Sequence, residues 1–228
     1  MILPYRDINP TKRYPAVTVA LIAINCAVYA YLMIAGRFSE MRYHAYLAEF
    51  GLTPSRFFSF ELFKLRWPVP VVMTPIAAMF LHGNILHLAG NMLYLWIFGN
   101  NIEDKLGHIR FVFFYIFCGI VSAYAHAFTN PHSLIPMIGA SGAIAGILGA
   151  YLLLFPKAYV HTLIFLGFFI TTVRIPALIV IGFWAIMQFA SGFLSRGLNE
   201  GGGVAWFAHV GGFLIGLLTV KLWMPRRS

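Results

Sequence analysis

The stretch GASGAIAGILGAYLLLF, Gly139 to Phe155, decides how the rest of the chain is read. It is an apolar run with small residues at Ser141, Gly142, Ala145, Gly146 and Gly149, it opens on a single serine, and Pro156 ends it. A hydroxyl in hydrocarbon is costly unless it finds a partner, so a polar group inside such a run marks a functional site by default. Two other stretches carry polar groups in the same way: HGNILHLAGN, His82 to Asn91, and AHVGG, Ala208 to Gly212.

Composition sets the medium around these motifs. With 60% hydrophobic and 10% charged residues in 228, there is too little polar surface to cover a water-soluble globule. The chain reads as an all-α integral membrane protein. An excess of 16 Lys+Arg over 7 Asp+Glu does not point to nucleic acid, because the basic residues sit at span ends and in connections rather than on one basic-aromatic stripe. Cys26 and Cys118 both lie in apolar runs, where a free thiol behaves as a small hydrophobe, so neither a disulfide framework nor a redox compartment is inferred.

At about 20 residues per crossing, six spans are expected: Ala16 to Ala35, Met79 to Phe98, Phe111 to Thr129, Ser141 to Phe155, Ile175 to Leu194 and Ala205 to Met224. This divides the chain into an N-terminal segment 1–15 without a cleavable signal, a six-helix domain 16–224 and a basic tail 225–228. Gly36 to Ala78 mixes basic and aromatic residues and suits a long loop in the headgroup layer after the first helix. Leu163 to Thr172 is apolar but too short to cross and reads as a surface-lying connector. With the N-terminus cytoplasmic, ten of the sixteen Lys and Arg residues fall on that side, as the positive-inside rule requires.

Counting along the even-numbered spans brings the motifs to one depth. Ser141 precedes Pro156 by about 22 Å of helix, roughly 8 Å short of a 30 Å core, so the serine is recessed. On the same rise His209 lies roughly 6 Å and His87 about 12 Å below the outer surface. A serine in the first turn of a helix sits where unpaired N–H groups and the helix dipole favour negative charge. His87 and Asn91, four apart and on one face, can add two donors to that oxyanion site, and His209 is left as the base. His82, five residues before His87, should face away from it and hold the long loop. Asn25, His126 and Gln188 read as structural. The acidic residues, Asp7, Glu40, Glu49, Glu61, Glu103, Asp104 and Glu200, all lie outside the spans. A Ser-His dyad is therefore expected rather than a triad, and HGNILH lacks the glutamate of a zinc protease.

The ordered set of His82, His87 and Asn91, then Gly139 to Gly142, then Ala208 to Gly212, with NIEDKLG from Asn101 to Gly107, resembles the rhomboid intramembrane serine proteases. The resemblance implies a six-transmembrane-helix rhomboid-like bundle. It implies Ser141 as nucleophile, His209 as base, His87 and Asn91 as oxyanion donors, and Glu103 in a structural place. Gly139 and Gly142 flank the serine. It also implies cleavage of single-span membrane protein substrates near the outer leaflet, with no metal or other cofactor. A multi-pass protein of the plasma or inner membrane follows. The chain departs from the family where many members carry Trp-Arg in the long loop, since Met73-Thr74 stands there and Arg66-Trp67 lies upstream. It departs again at Ala145, where some members place an aromatic that stacks on the histidine, so either another group positions His209 or the histidine is held more loosely. Two rival readings are a catalytically silent relative that binds client helices, and a metal or haem carrier using His82, His87 and His209.

Overall fold

A computed structural model describes residues 2–59, 69–166, 169–197 and 204–225. The chain opens on strand β1 (Ile2–Ile8), followed by helix α1 (Ala16–Ala35). The long loop holds α2 (Glu40–Phe50) and α3 (Pro54–Phe57), then short turns over Val71–Phe80 that include α4 (Thr74–Ala77). A continuous helical segment comes next: α5 (Ile85–Tyr94), a π-helical stretch Leu95–Gly99 and α6 (Asn100–Leu106). Helices α7 (His108–Thr129) and α8 (Ser141–Leu154), strands β2 (Tyr159–Leu166) and β3 (Phe169–Pro176), and helices α9 (Ala177–Gly197) and α10 (Trp206–Trp223) complete the fold.

Among the described residues, four helices, α1, α7, α9 and α10, are long and apolar enough to cross a membrane, and a fifth span results if Val71–Phe80 and Ile85–Leu106, bent by 82°, count as one. Helix α8 has only 14 residues. Every residue from Gly142 to Tyr151 is buried, so α8 is the central post of the bundle, apolar all round because protein surrounds it. Its neighbour α10 comes very close: a Cβ at Gly212 or Gly216 would collide with the backbone carbonyls of Gly142 and Gly146. Small residues let the two backbones meet, as in other membrane helix pairs.

Two expectations change here. The second span does not start at Met79: the chain is extended at Leu81, and Asn84 caps α5, its side chain accepting the His87 N–H at 2.8 Å. His87 is therefore in the first helical turn, closer to a helix start than a count from Met79 allows. The fold is also not all-α. The described residues of the connector, 163–166 and 169–172, lie in the antiparallel pair β2 and β3, which β1 extends into a sheet of order β1-β2-β3. Tyr159-Val160-His161-Thr162 alternates, with Val160 and Thr162 fully buried and Tyr159 exposed, which is strand periodicity rather than that of an interfacial helix.

Glu103 ties the first span to the second. Its carboxylate is 1% exposed and accepts from the Val17 N–H (2.9 Å), the Thr18 N–H (2.7 Å) and the Thr18 hydroxyl (2.7 Å). It caps α1 from another element, satisfying orphan donors where the dipole favours an anion. His108 Nδ1 lies 2.6 Å from the same carboxylate, and Asp104 accepts from the Lys12 and Arg13 N–H groups.

The loop is anchored without Trp-Arg at positions 73 and 74. Arg66 and Trp67 lie outside the described residues. The Tyr43 hydroxyl donates to the backbone carbonyl of His82, Leu52 and Met137 exchange backbone hydrogen bonds of 3.1 and 2.8 Å, and the Phe57 ring packs edge-on against Tyr124 at 5.1 Å. Leu52 thus braces the segment that leads into Ser141.

Candidate active site

Ser141 is the first residue of α8 and His209 lies in the first turn of α10. Close packing of these helices brings the two together although 68 positions separate them: Ser141 Oγ is 2.8 Å from His209 Nε2. The other ring nitrogen is also engaged, with His209 Nδ1 2.6 Å from Gln188 Oε1 on α9. An amide oxygen only accepts. Nδ1 must therefore carry the proton, leaving the Nε2 lone pair toward the serine hydroxyl. Trp184 and Trp206 flank the ring at 6.0 and 6.4 Å between centroids. Gln188, expected as a lone structural polar residue, thus faces His209, with Trp184 and Trp206 beside the same ring.

The second group of polar residues faces the same space. His87 Nδ1 accepts the Gly83 N–H at 3.3 Å, which leaves Nε2 as the donor. Asn91 Nδ2 makes no hydrogen bond to another protein group among the described residues. Gly139, at φ +117°, passes in front of both: a Cβ there would come within 2.8 Å of His87 Nε2 and 3.6 Å of Asn91 Nδ2. Glycine keeps those donors uncovered, and its backbone angle suits no other residue. A cavity of about 580 Å³ is lined by His87, Asn91, Gly139, Ser141, Trp184 and His209, among others. Gly142 does not line this donor face alone; its Cα lies against Ser122, whose hydroxyl a larger residue would displace.

His82 departs from its expected place. It precedes α5 rather than lying on it, so the helical angle to His87 does not apply, and the two rings meet edge-on at 5.1 Å. Its ring is buried, and it is its carbonyl that holds the loop through Tyr43. Asn25 is structural, its amide donating to the Leu21 carbonyl at 2.8 Å. No group of three or more metal-ligating side chains occurs among the described residues.

Gln188 and the tryptophans are the site residues that motif reading missed. A signal for Gln188 existed: it lies fewer than two turns before the expected span end at Leu194, roughly 9 Å deep, in the depth window of the motif residues.

Comparison with known proteins fits this arrangement. The Rhomboid domain family matches residues 71–226. The chain belongs to the rhomboid family. Among similar relatives, the rhomboid protease GluP of Bacillus subtilis is 34% identical over 156 residues, covering 68% of this chain and 26% of that protein. RHOMBOID-like protein 5 of Arabidopsis thaliana is 30% identical over 141 residues, 62% of this chain and 40% of that protein. The mitochondrial rhomboid protein 1 of Saccharomyces cerevisiae is 30% identical over 148 residues, 63% and 39% respectively. The chain thus spans about a quarter to two fifths of the length of these relatives. All of the motif residues lie within the matched rhomboid region, whereas β1 and α1 precede it.

Proposed function

We propose that this rhomboid is an intramembrane serine endopeptidase that hydrolyses peptide bonds in or near transmembrane segments of single-span proteins. The observation that carries the reading is the 2.8 Å contact between Ser141 Oγ and His209 Nε2, with Nδ1 already held by an acceptor. Ser141 attacks the scissile carbonyl while His209 takes its proton. The oxygen that becomes negative accepts from His87 Nε2, Asn91 Nδ2 and the Ser141 N–H, donors fixed in place before the reaction begins. His209 returns the proton to the leaving amine, and water then resolves the acyl-enzyme by the same route. The cavity lined by His87, Asn91, Ser141 and His209 gives water a place beside the apolar helix faces.

Six crossings, with Ile85–Leu106 as the second and α8 as the fourth, complete the proposed arrangement in a plasma or inner membrane, N-terminus cytoplasmic. A helical substrate hides its carbonyls in internal hydrogen bonds, so segments with small or helix-breaking residues near the cut are the preferred substrates. A silent client-binding relative needs no hydrogen-bonded serine and histidine, and the geometry favours catalysis over that reading. The test is proteolysis of a reconstituted single-span substrate. Ser141→Ala and His209→Ala are each expected to abolish cleavage with the melting midpoint unchanged, and full activity in either variant refutes the dyad.

A further inference from the structure

We propose that Gln188 is the positioning residue of this site, a carboxamide third member that fixes the tautomer and orientation of His209. The inference rests on the serine protease reading above and extends it from a dyad to Ser141–His209–Gln188.

A neutral imidazole has one N–H and one lone pair, and only the form with its lone pair at Nε2 can take the serine proton. Gln188 Oε1, 2.6 Å from Nδ1, selects that form. In water-exposed serine proteases a carboxylate does this and also stabilises the imidazolium. Inside a bilayer a carboxylate carries a large desolvation cost, whereas a neutral amide supplies the same acceptor at far lower cost. Unrelated cysteine proteases likewise use a carboxamide in this place. Gln188 is itself buried, 9% exposed, and Trp184, one turn earlier on α9, flanks the ring. The same helix thereby aims the imidazole and limits its rotation.

The test compares Gln188→Met, which keeps the length and removes the acceptor, with Gln188→Glu, which keeps the acceptor and adds charge. Two rates are read in reconstituted full-length protein: turnover of a single-span substrate, and phosphonylation of Ser141 by a small fluorophosphonate, which reports nucleophile activation independently of substrate docking. Gln188→Met is expected to lower kcat and the phosphonylation rate together, each by about 10- to 100-fold, near the low end of what general-base catalysis supplies, with KM changed less than about twofold. Gln188→Glu is expected to retain more than about a tenth of wild-type kcat and to move the acid limb of its pH profile upward, since a neighbouring anion favours the imidazolium.

Gln188→Met within about twofold of wild type in both rates would overturn the proposal. So would Gln188→Glu as impaired as Gln188→Met, because Gln188 would then act only by packing. If Gln188→Met lowers the melting midpoint, the ratio of Gln188→Glu to Gln188→Met phosphonylation decides, and a ratio near one refutes the assignment. Ser141→Ala runs beside them. Cleavage surviving that change defeats the protease reading itself, whereas cleavage lost there and kept in Gln188→Met defeats only the role of Gln188.

Discussion

At the scale of single residues, a few polar atoms are held where the surrounding apolar packing leaves them one role. Asn91 shows this best. Its Nδ2 makes no hydrogen bond to another described protein group, and Asn91 lines the cavity shared with Ser141 and His209. That nitrogen lies beside Gly139, where a Cβ would come within 3.6 Å of it. On the proposed protease reading, a donor aimed at the place where charge develops does little for the resting protein and much for the transition state. Asn91→Ala is therefore expected to leave stability largely unchanged and to lower kcat by up to about 10²- to 10³-fold, with little effect on KM. Steady-state cleavage kinetics with a thermal melt check both parts. An unchanged kcat would remove Asn91 from the site. Motif residues such as Ser141, His209, His87 and Asn91 were legible in sequence because each is polar in an apolar run. Gln188 is polar in an apolar run too, yet it has no motif around it, and its partner sits on a different helix. Only packing shows the pair.

At the scale of elements, helices were legible where composition governs them and were displaced where local chemistry does. The limits of α1, α7 and α10 follow the apolar runs. The start of α5 follows instead from Asn84, whose capping side chain outweighs the apolar residues before it. The hairpin had a signal in Tyr159 to Thr162 and in the β-branched Thr171, Thr172 and Val173 on either side of Gly167. The intervening apolar run reads equally well as interfacial, and β1 pairs with it from the far end of the chain. No local period reports such a pairing. The α1 cap is likewise a long-range device, with Glu103 accepting from Val17 and Thr18 some 85 positions away. Glu103→Gln can accept at one oxygen only, so one of those donors loses its partner. A loss of about 2 to 4 kcal/mol is expected, with Glu103→Ala worse than Glu103→Gln. Melting midpoints in detergent micelles measure it. Equal midpoints for wild type and Glu103→Ala would mean that α1 is held by its apolar face alone.

At the scale of the whole molecule, α8 separates two polar regions. The site lies at its first residue and the three-stranded sheet beyond its last, roughly 20 Å along the helix. Asp7 joins the sheet to the bundle: its Oδ2 accepts from the Tyr151 hydroxyl at 2.9 Å and from the Asn101 amide at 2.7 Å. Through Asp7, β1 is linked to both α6 and α8. Burial raises the Asp7 carboxyl above its ordinary value of 3.8, and the hydrogen bonds from Tyr151 and Asn101 and the charge of Arg6 offset this only in part. The folded protein thus binds this proton more tightly than the unfolded chain does. Its stabilising contribution is complete below 3.8 and is lost as pH rises through the folded value. Asp7→Asn keeps an acceptor for both donors and removes the ionisation. The melting midpoint of Asp7→Asn relative to wild type is therefore expected to rise as pH climbs from 3.8 and to level off once the wild-type carboxyl is ionised. Paired melts across that range test this, and a gap that stays constant or closes with rising pH would show that burial does not dominate at Asp7. Because the sheet lies at the opposite end of α8 from Ser141, kcat for Asp7→Asn at neutral pH should match wild type. A change in kcat there would mean that the sheet reaches the site through α8.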